Sequence, residues 1–164
     1  MARGGKSLFS LTTIFASFFG AALIAGAFAY YNYKFSQFKF INFQEFHFYT
    51  SNNIFEPKQD KYIVVFFSSK EPNAVKKIAS LDLKTKILAI DYYNNNIKST
   101  KNVIFLRSGT NTTLKFIQRF NIYDEPVLFF IKQVNKNLYK QDSMVRKFDT
   151  LDKMTKYKNI EEEL

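Results

Sequence analysis

Lys61-Tyr-Ile-Val-Val-Phe-Phe67, then Ser68-Ser-Lys-Glu-Pro-Asn73, then Ala74-Val-Lys-Lys-Ile-Ala79, is the stretch whose reading decides the fold. Tyr62 to Phe67 lack the apolar/polar alternation of a half-exposed strand, so the run predicts a strand covered on both faces, central in an α/β sheet. Ala74, Val75, Ile78 and Leu81 recur at helical spacing, with Lys76 and Lys77 turned outward. Between them lies a polar loop, the place where βα units usually carry their chemistry. In that loop Ser68 and Glu71 stand three apart, as in a capping box, and Pro72 suits a first helical turn.

Downstream, Lys86-Ile-Leu-Ala-Ile-Asp-Tyr92 and Asn102-Val-Ile-Phe-Leu106 read as strands joined by a polar crossover. Thr110 or Asn111 is placed to cap a helix carrying Leu114, Ile117 and Phe120. The Asn111-Thr112-Thr113 sequon has its explanation in that capping. Val127 to Ile131 is a fully apolar strand, and a turn at Val134 to Asn137 leads into Leu138 to Gln141 as an antiparallel hairpin. Asp149 or Thr150 caps a last helix with Leu151, Met154 and Tyr157 on one face. Ile160 to Leu164 reads as a solvated tail.

From Ile63-Val-Val-Phe-Phe67 into Ser68-Ser-Lys-Glu-Pro-Asn-Ala74, and again at Phe120-Asn-Ile-Tyr-Asp-Glu-Pro-Val-Leu-Phe-Phe-Ile131, the chain resembles the thioredoxin-fold family over residues 60–164. The resemblance implies a mixed sheet flanked by helices, with Pro126 in the cis-proline slot. In redox members two cysteines separated by two residues open the first helix and face that proline. Here Glu71-Pro72-Asn73-Ala74 fills the slot, and the chain has no cysteine. Without a thiolate there is no thiol–disulfide exchange. The likeness therefore carries an architecture and argues against that architecture's best-known activity.

Ahead of this domain, Met1-Ala-Arg-Gly-Gly-Lys6 is a positive head, and Ser7 to Tyr33 is a run of 27 residues without a charge or histidine. That is enough to cross a bilayer core of about 30 Å. Tyr30, Tyr31 and Tyr33 fall where an interfacial aromatic belt sits. The rival reading is a cleaved signal peptide, since Ala27-Phe28-Ala29 has the form of a cleavage site; the length of the apolar region favours an uncleaved anchor. Arg3 and Lys6 before the span nearly balance Lys34 and Lys39 after it, and the amino terminus tips the orientation toward head inside, domain outside. Small residues recur within the span, including Ala22 and Gly26 at a spacing that lets helices approach closely; their abundance in membrane spans generally is the alternative explanation.

The resulting organisation is a head at 1–6, a transmembrane anchor at 7–33, a linker at 34–40 and a thioredoxin-like domain at 41–164. Phenylalanine recurs at Phe35, Phe38, Phe40, Phe43, Phe46 and Phe48, and Ile41 to Tyr49 is expected as the first strand. Phe38, Phe40, Phe43, Phe46 and Phe48 either form a membrane-proximal contact patch or simply fill the core.

A formal charge of +10 is spread over scattered lysines and arginines, without the basic block of a nucleic-acid arm. Zero cysteine excludes disulfides, thiolate metal sites and cysteine catalysis. His47 is the only histidine, so histidine triads and zinc pairs lack partners. Five glycines leave little scope for a phosphate loop. Glu71, Asn73, Asp124, Glu125 and Pro126 would line the former active-site groove, where several carboxylates could raise one another's pKa or take a cation.

No catalytic residue, metal or cofactor is expected. The function expected is a non-catalytic, inner-membrane, single-pass protein with its domain in the periplasm. It would be a scaffold or assembly factor in a multi-subunit bacterial envelope complex such as a flagellar motor, secretion or conjugation apparatus, with homo-oligomerisation open. The alternatives are an accessory client-holding subunit of a disulfide-handling or cytochrome-maturation system, and an enzyme with an unrecognised carboxylate site.

Overall fold

Ser10 opens the first helix, its Oγ accepting the backbone N–H of Thr13 at 3.2 Å as N-terminal caps do. In the computed structural model, which describes residues 10–37, 39–51 and 53–157, α1 (Leu11–Gln37) is followed by a separate compact unit that begins at Phe38. Leu11–Tyr33 is long and apolar enough to cross a membrane. Phe15, Phe18, Phe19, Leu23, Ile24 and Phe28 are all exposed along it. The head at 1–6, the expected first residues of the span, Phe38 and the tail at 160–164 lie outside the described residues.

The second unit runs β1 (Phe40–Asn42), β2 (Phe48–Tyr49), β3 (Lys61–Phe67), α2 (Ala74–Ala79), β4 (Ile87–Asp91) and β5 (Val103–Ser108). It continues with α3 (Thr110–Phe120), β6 (Val127–Asn135), β7 (Leu138–Gln141), β8 (Arg146–Lys147) and α4 (Leu151–Thr155). The sheet order is β1-β7-β6-β3-β4-β5-β2, with β8 beside the start of β6. As the uninterrupted apolar run predicts, β3 is central: it pairs with β4 in parallel and β6 antiparallel, and Tyr62 to Phe67 are all buried.

Side chains alternate across the pleat, so one sheet builds two cores. Tyr62, Val64, Phe66, Leu88, Ile90, Phe129 and Ile131 meet Phe116 and Phe120 of α3 together with Phe43, Phe46, Phe48 and Phe55. Ile63, Val65, Phe67, Ala89, Leu128 and Phe130 meet Ala74 and Ile78 of α2 and Leu151 and Met154 of α4. The result is a mixed α/β sandwich of sheet between helices, the Glu125–Pro126 peptide bond being cis.

The segment after α1 departs from the expected single strand at Ile41 to Tyr49. β1 pairs with β7 at one edge of the sheet, and β2 pairs with β5 at the other. Asn42 breaks the run: its Oδ1 accepts Gln44 N–H at 3.0 Å, and its carbonyl accepts Glu45 and Phe46 N–H. This is an Asx-type turn. Phe43, Phe46 and Phe48 are consequently 5%, 4% and 0% exposed, which excludes them from a contact patch and assigns them to the core. Phe40 is half-buried at the edge.

Parts of both sides of the sheet are already hydrogen-bonded by other segments. Along β5, Ser99 Oγ accepts Phe105 N–H at 3.0 Å and Thr100 exchanges hydrogen bonds with Val103. On β1, Arg119 Nη1 donates to the Phe40 carbonyl at 3.0 Å. A blunted edge is a poor template for strand addition by another chain.

Two buried tyrosines pin the loop before β3. Tyr62 Oη accepts Lys58 and Gln59 N–H at 2.8 and 3.0 Å, and Tyr139 Oη donates to the Gln59 carbonyl at 2.6 Å. Burial, reinforced by Tyr62 and Asp60, pushes the Tyr139 hydroxyl up to about 12. Because that value lies above the unfolded one, the associated stability is complete below pH about 10 and is lost between about 10 and 12. Tyr139→Phe should therefore lower stability by about 1 kcal/mol at neutral pH and flatten the alkaline decline, as read by thermal melts across pH.

Candidate functional site

The β3–α2 loop is built around a carboxylate that it does not itself contain. Asp91, the last residue of β4, is only 1% exposed. Its Oδ1 accepts Ser69 N–H at 3.0 Å and Tyr93 N–H at 3.2 Å, and its Oδ2 accepts Asn95 N–H at 2.9 Å. Asn95 Nδ2 also reaches Ser69 Oγ at 2.6 Å. One buried side chain thus ties together the loops that follow β3 and β4. Sequence reading treats Asp91 as merely the end of a strand; the one legible hint is an acid closing an otherwise apolar run.

Ser68 and Glu71 do not form a capping box. α2 starts later, at Ala74, behind Asn73 in the left-handed region (φ 58°), which is tolerated by asparagine. Ser68 Oγ accepts Lys70 N–H at 3.4 Å, while Glu71 Oε1 reaches across to accept Leu151 N–H at 3.1 Å. Glu71 thereby satisfies a free N–H in the first turn of α4, with Thr150 Oγ1 accepting that of Lys153. Lys77 Nζ stands 3.7 Å from Glu71 and 2.9 Å from Asp152. Its hydrogen bond to Asp152 leads the effects that hold the ammonium above the usual lysine range.

The carboxylates expected to share a groove are engaged differently. Asp124 is ion-paired with Lys147 at 2.9 Å, and both are exposed. Glu125, half-buried beside Pro126, has its carboxyl pushed above the usual range, first by burial and further by the nearby Asp91 and Glu71 charges, against a lowering hydrogen bond from Ser68. Among the described residues no group of three or more His, Asp or Glu is arranged to hold a metal. His47 is exposed, its Nδ1 3.2 Å from the Glu45 carbonyl.

A cavity of about 590 Å³ opens next to Pro126, lined by Phe66, Tyr92, Leu114, Ile117, Ile122 and Tyr123, with Asp124 and Glu125 at its border. Glu71 and Asn73 do not line it. Tyr123 is 76% exposed, so the cavity is an apolar, aromatic groove carrying acid at one side. The geometry suits holding a side chain or a short segment.

In α1, a Cβ placed at Gly20 or Gly26 would meet nothing within 4 Å, so the face that includes Ala22 and Gly26 is open.

Glu125→Gln tests the electrostatics. A raised folded-state pKa means that the protonated acid is favoured by the fold: its stabilisation is full below the unfolded value and lost as pH rises through the folded one. At neutral pH the neutral amide should therefore raise stability, by about 0.5 kcal/mol once solvent screening is allowed for, with no gain at pH about 4. Denaturant midpoints at the two pH values read the difference.

No protein-family model matches the chain, and no curated protein does.

Proposed function

We propose that this protein is a membrane-anchored, thioredoxin-like module without redox or other catalytic activity, acting as a scaffold or assembly factor of a bacterial envelope complex. In this reading α1 holds the protein in the cytoplasmic membrane, and the folded unit lies in the periplasm. A flagellar motor, secretion or conjugation apparatus is the kind of assembly it would serve. The observation that carries the reading is the commitment of the β3–α2 loop to structure: Asp91 holds its backbone, and Glu71 holds the start of α4. Groups spent on such bonds are unavailable as acids, bases or nucleophiles without cost to the fold. The thioredoxin likeness is supported by the central β3 between a parallel and an antiparallel neighbour, the following hairpin, and Pro126 next to that loop.

A client-holding role in a disulfide-handling system is the second reading, favoured by the aromatic groove at Tyr92, Leu114 and Tyr123. Purification of the tagged full-length protein in mild detergent, with mass spectrometry of what it retains, separates the two. Stoichiometric recovery of one large envelope assembly supports the scaffold reading. Recovery of thiol-handling or cysteine-bearing proteins transfers support to the second, and a partnerless monomer overturns both.

A further inference from the structure

A second cavity, also of about 590 Å³, lies at the opposite end of β3 from the Asp91 loop and shares no residue with the aromatic groove. Three chain segments converge on it: the connection before β3, with Ser51, Glu56 and Lys58; the start of β4, with Lys86; and the crossover to β5, with Lys98 and Ser99. Its apolar floor includes Phe55, Tyr62 and Ile104.

Most described lysines carry no ion pair, and what distinguishes Lys58, Lys86 and Lys98 is that all three line one cavity. Lys61, Lys77, Lys147 and Lys153 each stand against an aspartate. Lys58, Lys86 and Lys98 have no ion-pair partner among the described residues, and the single carboxylate on the wall, Glu56, leaves the cleft with a formal excess of positive charge. Like charges gathered around one concavity, here on exposed side chains, reinforce one another's field and concentrate anions there. Ser99 Oγ accepts Phe105 N–H, which leaves its own proton to donate. Lys58 is held in place through its backbone, because its N–H bonds to the buried Tyr62 hydroxyl.

We propose that this cleft is a binding site for a phosphate-bearing anion, with Lys58, Lys86 and Lys98 as its counter-charges and Ser99 as a neutral donor. A phosphate monoester or diphosphate, carrying two or more charges and several acceptor oxygens, matches three ammonium groups better than a monocarboxylate does. The source is a soluble phosphate compound or the head group of an anionic phospholipid. The site is independent of the scaffold reading, since none of its residues belongs to the Ser68–Asn73 loop or to the groove at Pro126.

The test uses the full chain reconstituted in phosphatidylcholine nanodiscs, with lysine-reactive labelling quantified by mass spectrometry. Pyrophosphate is titrated in one arm, and phosphatidylglycerol is added to the disc in the other. Saturable protection of Lys58, Lys86 and Lys98 by pyrophosphate identifies a soluble anion; protection by the lipid alone identifies a head group. Each of Lys58→Ala, Lys86→Ala and Lys98→Ala should weaken the protecting interaction about three- to fivefold, and Glu56→Gln should strengthen it. Lys76→Ala, on α2 and outside the cleft, should leave it unchanged. Absence of protection in both arms, or equal loss in the Lys76 variant, overturns the proposal.

Discussion

Replacing Asp91 with alanine is expected to lower the stability of the folded unit by about 3 kcal/mol, a fall in Tm on the order of 10 °C. The carboxylate accepts three backbone N–H groups, from Ser69, Tyr93 and Asn95, at a position almost closed to solvent. Alanine removes every acceptor and leaves donors that water reaches poorly, each costing on the order of 1 kcal/mol or more. Asparagine retains one oxygen, which can serve the pair formed by Ser69 and Tyr93, while its amide cannot accept from Asn95. Asp91→Asn should therefore lose about half as much. Hydrogen exchange should locate the damage: the amides of 69, 93 and 95 lose protection while those at the centre of β3 keep theirs. An Asp91→Ala protein within about 0.5 kcal/mol of the parent would mean that the loops are held by something other than this carboxylate.

The part of the fold carried by one-dimensional pattern was legible, and the part carried by distant side chains was not. Tyr62 to Phe67 announced a central strand because burial on both faces leaves no polar position. The strands at Lys86 to Tyr92 and Asn102 to Leu106, the hairpin after Val127, and Thr150 as the cap of α4 follow from the same local signals. Asn42 carried an equally local signal, an Asx turn, which the alternation of Phe38, Phe40, Phe46 and Phe48 concealed. Phe43 and Phe46 lie three apart, a turn spacing, and both point into one core. At α3 the expected hydroxyl or amide cap gives way to Gly109, and Thr113 instead bonds to Asn94 and Ser108.

The candidate site was legible as a place but not as a set of partners. Glu125 and Asp124 lie where the Pro126 segment suggested, but Glu71 serves a helix 80 residues further on in the chain, a pairing that no spacing rule encodes. The lysine cleft was invisible for the same reason. Lys58, Lys86 and Lys98 are scattered singly in the chain, and only the turn-back of the chain at the starts of β3 and β4 gathers them.

Phe116→Ala is expected to cost about 4 kcal/mol, more than the loss of the Asp91 carboxylate. The ring is 1% exposed and stands where four elements meet, with centroid distances of 5.8 Å to Phe48 on β2, 6.1 Å to Phe66 on β3, 4.8 Å to Phe120 on α3 and 6.3 Å to Phe129 on β6. Its loss removes a large apolar side chain and leaves a cavity whose aromatic walls cannot collapse far, so the transfer and cavity penalties add. Phe116→Leu keeps most of the volume and should cost about 1.5 kcal/mol. The two variants also separate general destabilisation from local release. β2 is only two residues long, and its Phe48 packs edge-on against Phe116, so β2 depends on this ring more than β3 does. In the alanine variant, hydrogen exchange at Phe48 and Tyr49 should accelerate well beyond that at Val64 and Val65. Equal acceleration at both places would show that β2 and the central strand open as one cooperative unit, and that β2 depends on this ring no more than β3 does.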